Sequence, residues 1–502
     1  MVETQKVTTN WKEREKLREK GQFWTPLWIA EAMIQFVCNS DLIFDPAIGN
    51  GVFLHALRQT SRPEIAFSGF DIDGELLSSP IFQTGNCLVE KRDFLKNPPQ
   101  RKFASIVSNP PYIRHHRIDE VTKILLKNLV ARIAGFSLDS RAGYHIYFLI
   151  QSLNLLEENG HLAIILPADT CEGVFADKLW QWITENFCVE AVITFDEKAA
   201  PFPQLDTNTI IFFIKKAKQK PVISWIKVQT RNASELKEVV ATNFPRKLFQ
   251  SLEVFERNAA EASKTGFSRP ENNRQTKYIL ADFATVMRGI ATGANEFFFL
   301  TKQQVKDLKI PSEFLKTCVG RTRDVIGDVF TASDLLRLDQ SSRPTQLLSI
   351  EKSFDELPPE IIEYLQKGFA LKLPERSLIK LRNPWYKQEK RKTPEFLFAY
   401  LGRRNARFIK NDAQVVPLHC LHCIYTHSKD TGQIEKLHYV LNHSDTLRNL
   451  HLVSKSYGAG ALKAEPQKLK NLPIPEHLVE QLELIIATKP EKCLSSQFSL
   501  FE

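Results

Sequence analysis

The sequence predicts an α/β first half, an open sheet of parallel strands with helices between them, followed by a second region of mixed α+β character. Three observations predict it. Short apolar runs alternate with helical patterns through the first 215 residues, those runs end in turn-forming residues, and the alternation stops after Lys277. With 502 residues, 43% of them hydrophobic and 25% charged, the chain can bury more than one core. No apolar stretch approaches the roughly 18 residues of a membrane span, and the polar, charge-mixed first 20 residues lack the apolar run of a secretory signal. Eight scattered cysteines read as reduced thiols, so a cytoplasmic protein without membrane attachment is expected.

In chain order, the expected strands are Leu42–Asp45, Ala66–Ile72, Ala104–Val107, Leu162–Leu166, Val189–Phe195 and Thr209–Ile214. Helical periodicity falls between them over Trp28–Val37, Gly51–Gln59 and Gly143–Glu158. Several strand ends carry turn formers (Asp45-Pro46, Asn109-Pro110-Pro111, Pro167), at the edge where an open α/β sheet places its ligand crevice. Residues 251–277, and Arg257–Lys277 above all, are polar and poor in apolar side chains. They read as a linker between a domain over 1–250 and another over 278–502.

Charge is uneven. The net charge is +9, but residues 1–250 account for +2 and residues 251–502 for +7. The window Arg376–Lys410 alone holds 11 basic and 2 acidic residues, interleaved with Trp385, Tyr386, Phe396, Phe398, Tyr400 and Phe408. Basic residues among aromatics suit phosphate contact with stacking on bases. The same pattern also fits a solvated face over a core strand, and charge alone does not choose.

Two glycine-containing strand ends suggest a nucleoside. Phe44-Asp45-Pro46-Ala47-Ile48-Gly49-Asn50-Gly51 is a strand, a turn and the start of a helix, where backbone N–H groups face a ligand. About 20 residues on, Gly69-Phe70-Asp71 puts a carboxylate at a strand tip, suited to two ribose hydroxyls. A Rossmann-like sheet fits both. The third glycine of the dinucleotide fingerprint is absent and no Gly-Lys-Ser/Thr loop occurs, which excludes a P-loop NTPase.

The sharpest signal is Ser108-Asn109-Pro110-Pro111-Tyr112 after an apolar strand. Two prolines stiffen the turn and remove N–H donors. The Asn109 side-chain oxygen and the Pro110 carbonyl can then accept both hydrogens of one planar amino group, freeing its lone pair for attack. Tyr112 can stack on the ring that carries the amine. His419-Cys420-Leu421-His422-Cys423 has no second ligand cluster, so no metal is expected. No Pro-Cys dipeptide exists to support cytosine C5 methylation.

Gln22-Phe23-Trp24-Thr25-Pro26, Asp45–Phe53, Asp71, Asp93-Phe94 and Asn109–Tyr112 together resemble the ordered motifs of gamma-class adenine-N6 DNA methyltransferases. The stretch Val286–Asn295 is similar to the start of the target-recognition domain of TaqI-type modification enzymes. The resemblance implies a methyltransferase domain dependent on S-adenosylmethionine, a target-recognition domain, and duplex DNA as partner. It also implies residue roles. Thr25, Asp45 and the Ala47–Gly49 turn would face the cofactor, with Thr25 at its methionine end. Asp71 would hold the ribose, Asp93 and Phe94 the adenine, and Asn109 would border the cofactor as well as the target amine.

Phe202, read as an exposed ring between Pro201 and Pro203, would pack on an extruded base opposite Tyr112. Arg288, Thr292, Lys390, Arg391, Arg403, Arg404 and Arg407 are the candidate DNA contacts, with the loop 457–460 beside them. A monomer is the default, and a cognate restriction endonuclease the natural companion. Two alternatives stay open: a protein glutamine-N5 methyltransferase, whose donor geometry is the same, and a non-catalytic DNA-binding specificity protein.

Overall fold

The structure, a computed structural model, describes every residue except 1–20, 84, 172–174, 203–207, 266, 268–275, 400, 403–405, 457–461 and 488–502. The chain divides into two compact units, Met1–Glu271 and Asn272–Ser456 continued by Ala461–Glu502.

The first unit is built on a nine-stranded sheet. In chain order its strands are β1 (Leu42–Asp45), β2 (Ala66–Asp71), β3 (Cys87–Lys91), β4 (Phe103–Ser108), β5 (Leu156–Pro167), β6 (Cys188–Phe195), β7 (Thr209–Lys215), β8 (Val222–Val228) and β9 (Leu252–Asn258). Their spatial order is β3-β2-β1-β4-β5-β7-β6-β8-β9. The strands from β3 to β5 are parallel, as expected for strands joined by helical crossovers. Beyond β5 the expectation of parallel strands is corrected in part: β7 runs antiparallel to both β5 and β6, whereas β6 and β8 are parallel. Among its described residues the connection from β6 to β7 carries only the 3-10 turn Glu197–Ala199, and strands joined without a crossover helix pair antiparallel.

Both faces of the sheet are covered, and the pleat explains how. Adjacent residues on β4 and β5 point to opposite sides, so Ile106 and Ile164 enter one core while Val107 and Ile165 enter the other. The first core receives the helices Glu120–Ala134, Tyr144–Asn154 and Ala176–Asn186. The second receives Leu27–Val37, Val52–Arg58 and Ala233–Ala241. The helix expected over Gly143–Glu158 stops at Asn154, because Leu156 already pairs with Phe103 in the sheet.

The linker assignment is also corrected. Residues 252–258 are an edge strand antiparallel to β8, and Ala259–Thr265 is a helix. An edge strand with one solvated face carries charges freely, so the exposed Glu253 and Glu256 made a strand look like a tether, whereas Arg257 is buried. Order in the sheet reverses between β1 and β4, and the crevice at such a reversal is bounded by the strand ends at Asp45 and Ser108.

The second unit is α+β, with small sheets and short helices. One sheet pairs Ala284–Arg288, Leu421–Thr426, Phe396–Ala399 and Phe408–Lys410 in that order, all antiparallel. No helix among the described residues is long and apolar enough to cross a membrane.

Candidate active site

The Asn-Pro-Pro-Tyr turn leaves β4 and is fastened by the segment preceding the first helix of the described chain. The Tyr112 N–H donates to the Gly21 carbonyl at 3.0 Å. Gly21 has a φ of +64°, and a Cβ there would stand 2.9 Å from the Tyr112 nitrogen, so only glycine lets the two strands of chain close. The Asn109 amide nitrogen donates to the Phe23 carbonyl at 2.5 Å and to the Thr25 hydroxyl at 3.0 Å.

These contacts orient Asn109. Reversing its amide would set Oδ1 against the Phe23 carbonyl, two acceptors face to face. Oδ1 therefore points away from them, and there it is buried without a hydrogen-bond partner. No hydrogen bond from the described residues reaches the Pro110 carbonyl either. An unpaired buried acceptor costs about 1–3 kcal/mol, which a donor brought by a ligand would recover. The sequence indicated Asn109 and Thr25 separately. It gave no sign that the backbone of Gly21 and Phe23 would hold the turn.

Tyr112 is buried, its hydroxyl donating to the Ile165 carbonyl at 3.1 Å. The expectation of an exposed Phe202 is corrected: its ring is 4% exposed and meets Tyr112 edge to face, centroids 6.3 Å apart at 86°. Phe23 packs on both rings, 5.8 Å from Tyr112 and 6.2 Å from Phe202. Pro203 and Gln204 lie outside the described residues.

The β1 turn lies beside β2 through a chain of hydrogen bonds. Asp45 Oδ1 accepts from the Ala47 N–H at 3.0 Å, and the Ile48 N–H donates to the Phe70 carbonyl at 2.9 Å. Asp71 Oδ2 accepts from the Gly49 N–H and its Oδ1 from the Asp73 N–H. Each Asp71 oxygen keeps a lone pair for a further donor, as a ribose diol requires. Burial raises the Asp71 pKa against those two N–H donors. At Gly49, with φ +54°, a Cβ would project into space with only the Ala47 carbonyl at 4.0 Å, so the backbone can be approached closely. Asp45 is fully buried, its Oδ2 has no partner, and burial pushes its carboxyl up to about 8.

These features fit a nucleoside-bearing, positively charged donor. Acceptor capacity stands at Asp71, an unpartnered buried carboxyl at Asp45, and a bare backbone cradle at Gly49. Asp93 accepts from the Leu95 and Lys96 N–H groups and keeps its loop in shape. Phe94 departs from expectation: it is 2% exposed and packed on Phe44 and Phe148, a core aromatic rather than a ring open to a ligand.

The expected DNA contacts of the second unit fare differently. Thr292 is 1% exposed and hydrogen-bonds to Asn295, so it braces its own turn, and the expectation that it touches DNA is corrected. Arg391 donates to the Arg288 and Lys390 carbonyls and pairs with Glu389. Arg407 donates to the Gly327 and Val325 carbonyls. Both are buttresses of the fold in place of the free cations expected. Arg288 pairs with Glu389 at 2.9 Å and Lys390 with Glu351 at 2.6 Å. Arg403, Arg404 and the loop 457–460 lie outside the described residues. The aromatics of the basic window, Tyr386, Phe396, Phe398 and Phe408, are core residues, so the reading as a solvated face over core strands holds for them. Sequence reasoning passed over Arg321 and Arg323. Both are exposed, and neither guanidinium has an ion pair or hydrogen bond among the described residues.

Comparison with known proteins covers both units. The family model described as Eco57I restriction-modification methylase matches residues 56–202. The model described as Type II methyltransferase M.Eco57I, C-terminal domain, matches residues 264–496. Type II methyltransferase M.AccI of Acinetobacter calcoaceticus is 26% identical over 471 residues, covering 91% of this chain and 85% of its own. Type II methyltransferase M.XamI of Xanthomonas campestris pv. amaranthicola is 22% identical over 478 residues, with the same coverage. Among solved structures, the Type IIL restriction-modification enzyme MmeI in complex with DNA superposes with a TM-score of 0.54 at 12% identity. That likeness of fold spans 92% of this chain and 65% of the MmeI chain.

Proposed function

We propose that the chain, whose two parts match the two restriction-modification methyltransferase models, methylates DNA at the N6 amino group of an adenine turned out of the duplex, with S-adenosylmethionine as donor. The observation that carries the reading is the outward-facing, unpaired Asn109 Oδ1, next to a Pro110 carbonyl that no donor among the described residues reaches. Two acceptors on one rigid turn suit an amine with two hydrogens.

Adenine inside a duplex cannot reach such a turn, so the base must leave the stack, at an unstacking cost of a few kcal/mol. Tyr112 offsets part of that cost as a stacking platform. Phe202 adds a second ring after turning from its edge-on packing. S-adenosylmethionine, when bound, supplies an electrophilic methyl group. Asp71 would hold its ribose, and the Ala47–Gly49 turn with Asp45 and Thr25 its polar end. Asn109 and Pro110 accept the amino hydrogens and keep the nitrogen lone pair out of the ring. They also fix the direction of attack, and positioning of this kind is a large share of the rate. One proton of the methylated nitrogen then leaves through these acceptors to water. No strong base is required.

The second unit would supply DNA contact. Arg321, just before the short 3-10 turn Thr322–Asp324, and Arg323 within it are exposed and have guanidinium groups available for phosphates. That turn is rigid because Asp324 is buried and paired with Arg343 at 2.6 Å. A methyltransferase acting on protein glutamine has no need of a second domain of this size. The companion endonuclease and the monomeric state remain part of the proposal.

The test is base-resolved methylation mapping of DNA from a methylation-free bacterial host that expresses the chain, beside its Asn109→Ala variant. N6-methyladenine at one short sequence, absent in the variant, is the expected result. An unmodified genome from well-folded protein would overturn it.

A further inference from the structure

His145 is a buried side chain that the mechanism above leaves unused. It stands at the second position of the helix Tyr144–Asn154, and that helix is tied to the catalytic turn by the Tyr144 N–H, which donates to the Ile113 carbonyl at 2.9 Å. The imidazole is 6% exposed, and both ring nitrogens are buried without a hydrogen-bond partner. Its ring meets Tyr112 at a steep angle, centroids 6.0 Å apart. The Asp169 carboxylate, on the turn that follows β5, lies 3.9 Å from Nε2, outside hydrogen-bond range but close enough to act on the ring electrostatically. Gly143 makes room for this placement, since a Cβ there would stand 2.6 Å from His145 Cε1.

A histidine serving only as packing would be replaceable by an apolar ring at lower cost, because each unpaired buried nitrogen is unfavourable. This one stands beside the platform on which the base is proposed to rest. We propose that His145, with Asp169 behind it, is a substrate-contacting residue that hydrogen-bonds a ring nitrogen of the base held on Tyr112; the assignment rests on the adenine reading. Adenine fits such a partner. Its amino group, its sole donor at the edges, is taken by Asn109 and Pro110, while N1, N3 and N7 are acceptors that need a donor. A neutral imidazole has one N–H to give. Burial favours the neutral form, and Asp169 opposes that shift.

The test uses the full chain and duplexes that carry the mapped site, with the target adenine replaced in turn by 1-deaza-, 3-deaza- and 7-deazaadenine. Methyl transfer in a single turnover is compared for the wild type and His145→Phe, a variant that keeps a ring of similar size and leaves no nitrogen unpaired. The expected result has three parts: one analogue slows the wild type about tenfold, the variant is about tenfold slower on adenine, and that analogue slows the variant no further. The melting temperature of the variant should not fall. Asp169→Asn, at a half-exposed position, should weaken the wild-type response to the same analogue and covers the case in which His145→Phe does not fold.

Losses that multiply across analogue and variant, or full activity in His145→Phe, would overturn the assignment and leave the adenine reading standing. A wild type that makes no methyladenine would remove the adenine reading itself.

Discussion

The two units pose opposite problems to a reader of charge. The basic window Arg376–Lys410 has the strongest local excess in the chain. In three dimensions carboxylates from elsewhere in its unit absorb much of it: Glu296 pairs with Arg376, Glu351 with Lys390, Asp328 with Arg407 and Glu435 with Lys410. The strand ends of the first unit carry little net charge, yet Asp45 Oδ2, Ser108 Oγ and Asn109 Oδ1 there, and both His145 nitrogens on the adjoining helix, are buried and without a hydrogen-bond partner among the described residues. Surface ion pairs of the first kind contribute little each, about 0–1 kcal/mol. Unmet polar groups of the second kind are costly enough to need a reason. At these positions the unsatisfied groups, and not the net charge, single out the turn that carries Asn109.

The largest expected effect tests the unsatisfied side of that contrast. Asn109→Ala should lower methyl transfer roughly thousandfold and change S-adenosylmethionine affinity by no more than a few-fold, because the lost acceptor acts on the amine. Single-turnover kinetics with calorimetric binding would separate the two; equal losses in both would turn Asn109 into a cofactor residue.

Asp45 offers a pH test. Its carboxyl is pushed up to about 8 in the fold, so between roughly pH 4 and 8 the native state holds a proton the unfolded chain has released. Stability should therefore fall as pH rises through that window, by at most about 1.4 kcal/mol per pH unit from this group. Asp45→Asn should flatten the dependence in thermal melts from pH 5 to 9. An unchanged slope would show that the buried acid is not the source.

Next comes the contrast between free and braced arginines. Replacing Arg321 and Arg323 together by Ala should reduce the salt dependence of DNA binding by about two in log–log slope and leave the melting temperature unchanged. Arg407→Ala should do the reverse, lowering the melting temperature by a few degrees with the slope intact. If both variants shift the slope equally, the distinction drawn between them fails. The smallest effect belongs to Thr25→Val, which removes one of two hydrogen bonds that orient Asn109. It should cost about tenfold in turnover, and Thr25→Ser should restore most of it.

Much of the first unit could be read before folding. The strand Leu42–Asp45 is found where the apolar run predicts it, and the helix Leu27–Val37 differs from expectation by one residue. Strong periodicity and prolines set such elements locally. The strands β3, β8 and β9 were not legible in the same way. The edge strands β3 and β9 carry charges along their exposed positions, and β8 shows its alternation only once its neighbours define which face is buried. Phe94 and Phe202 show the same limit for single residues. A sequence gives an aromatic ring, whereas its burial depends on distant partners such as Phe148 and Phe23.

Sequence by itself determined the chemistry available at the turn: an asparagine, two prolines and a tyrosine in one order after an apolar strand, a carboxylate at each neighbouring strand end, and the division into two kinds of region. These follow from local sterics and side-chain type. Tertiary structure decided which of those groups are free to act. The Phe23 carbonyl, 86 residues away in the chain, turns the Asn109 oxygen outward, and the Ile113 carbonyl anchors the helix that brings His145 beside Tyr112. Hydrogen-bond satisfaction is a property of neighbours in space, and spacing along the chain carries no record of it.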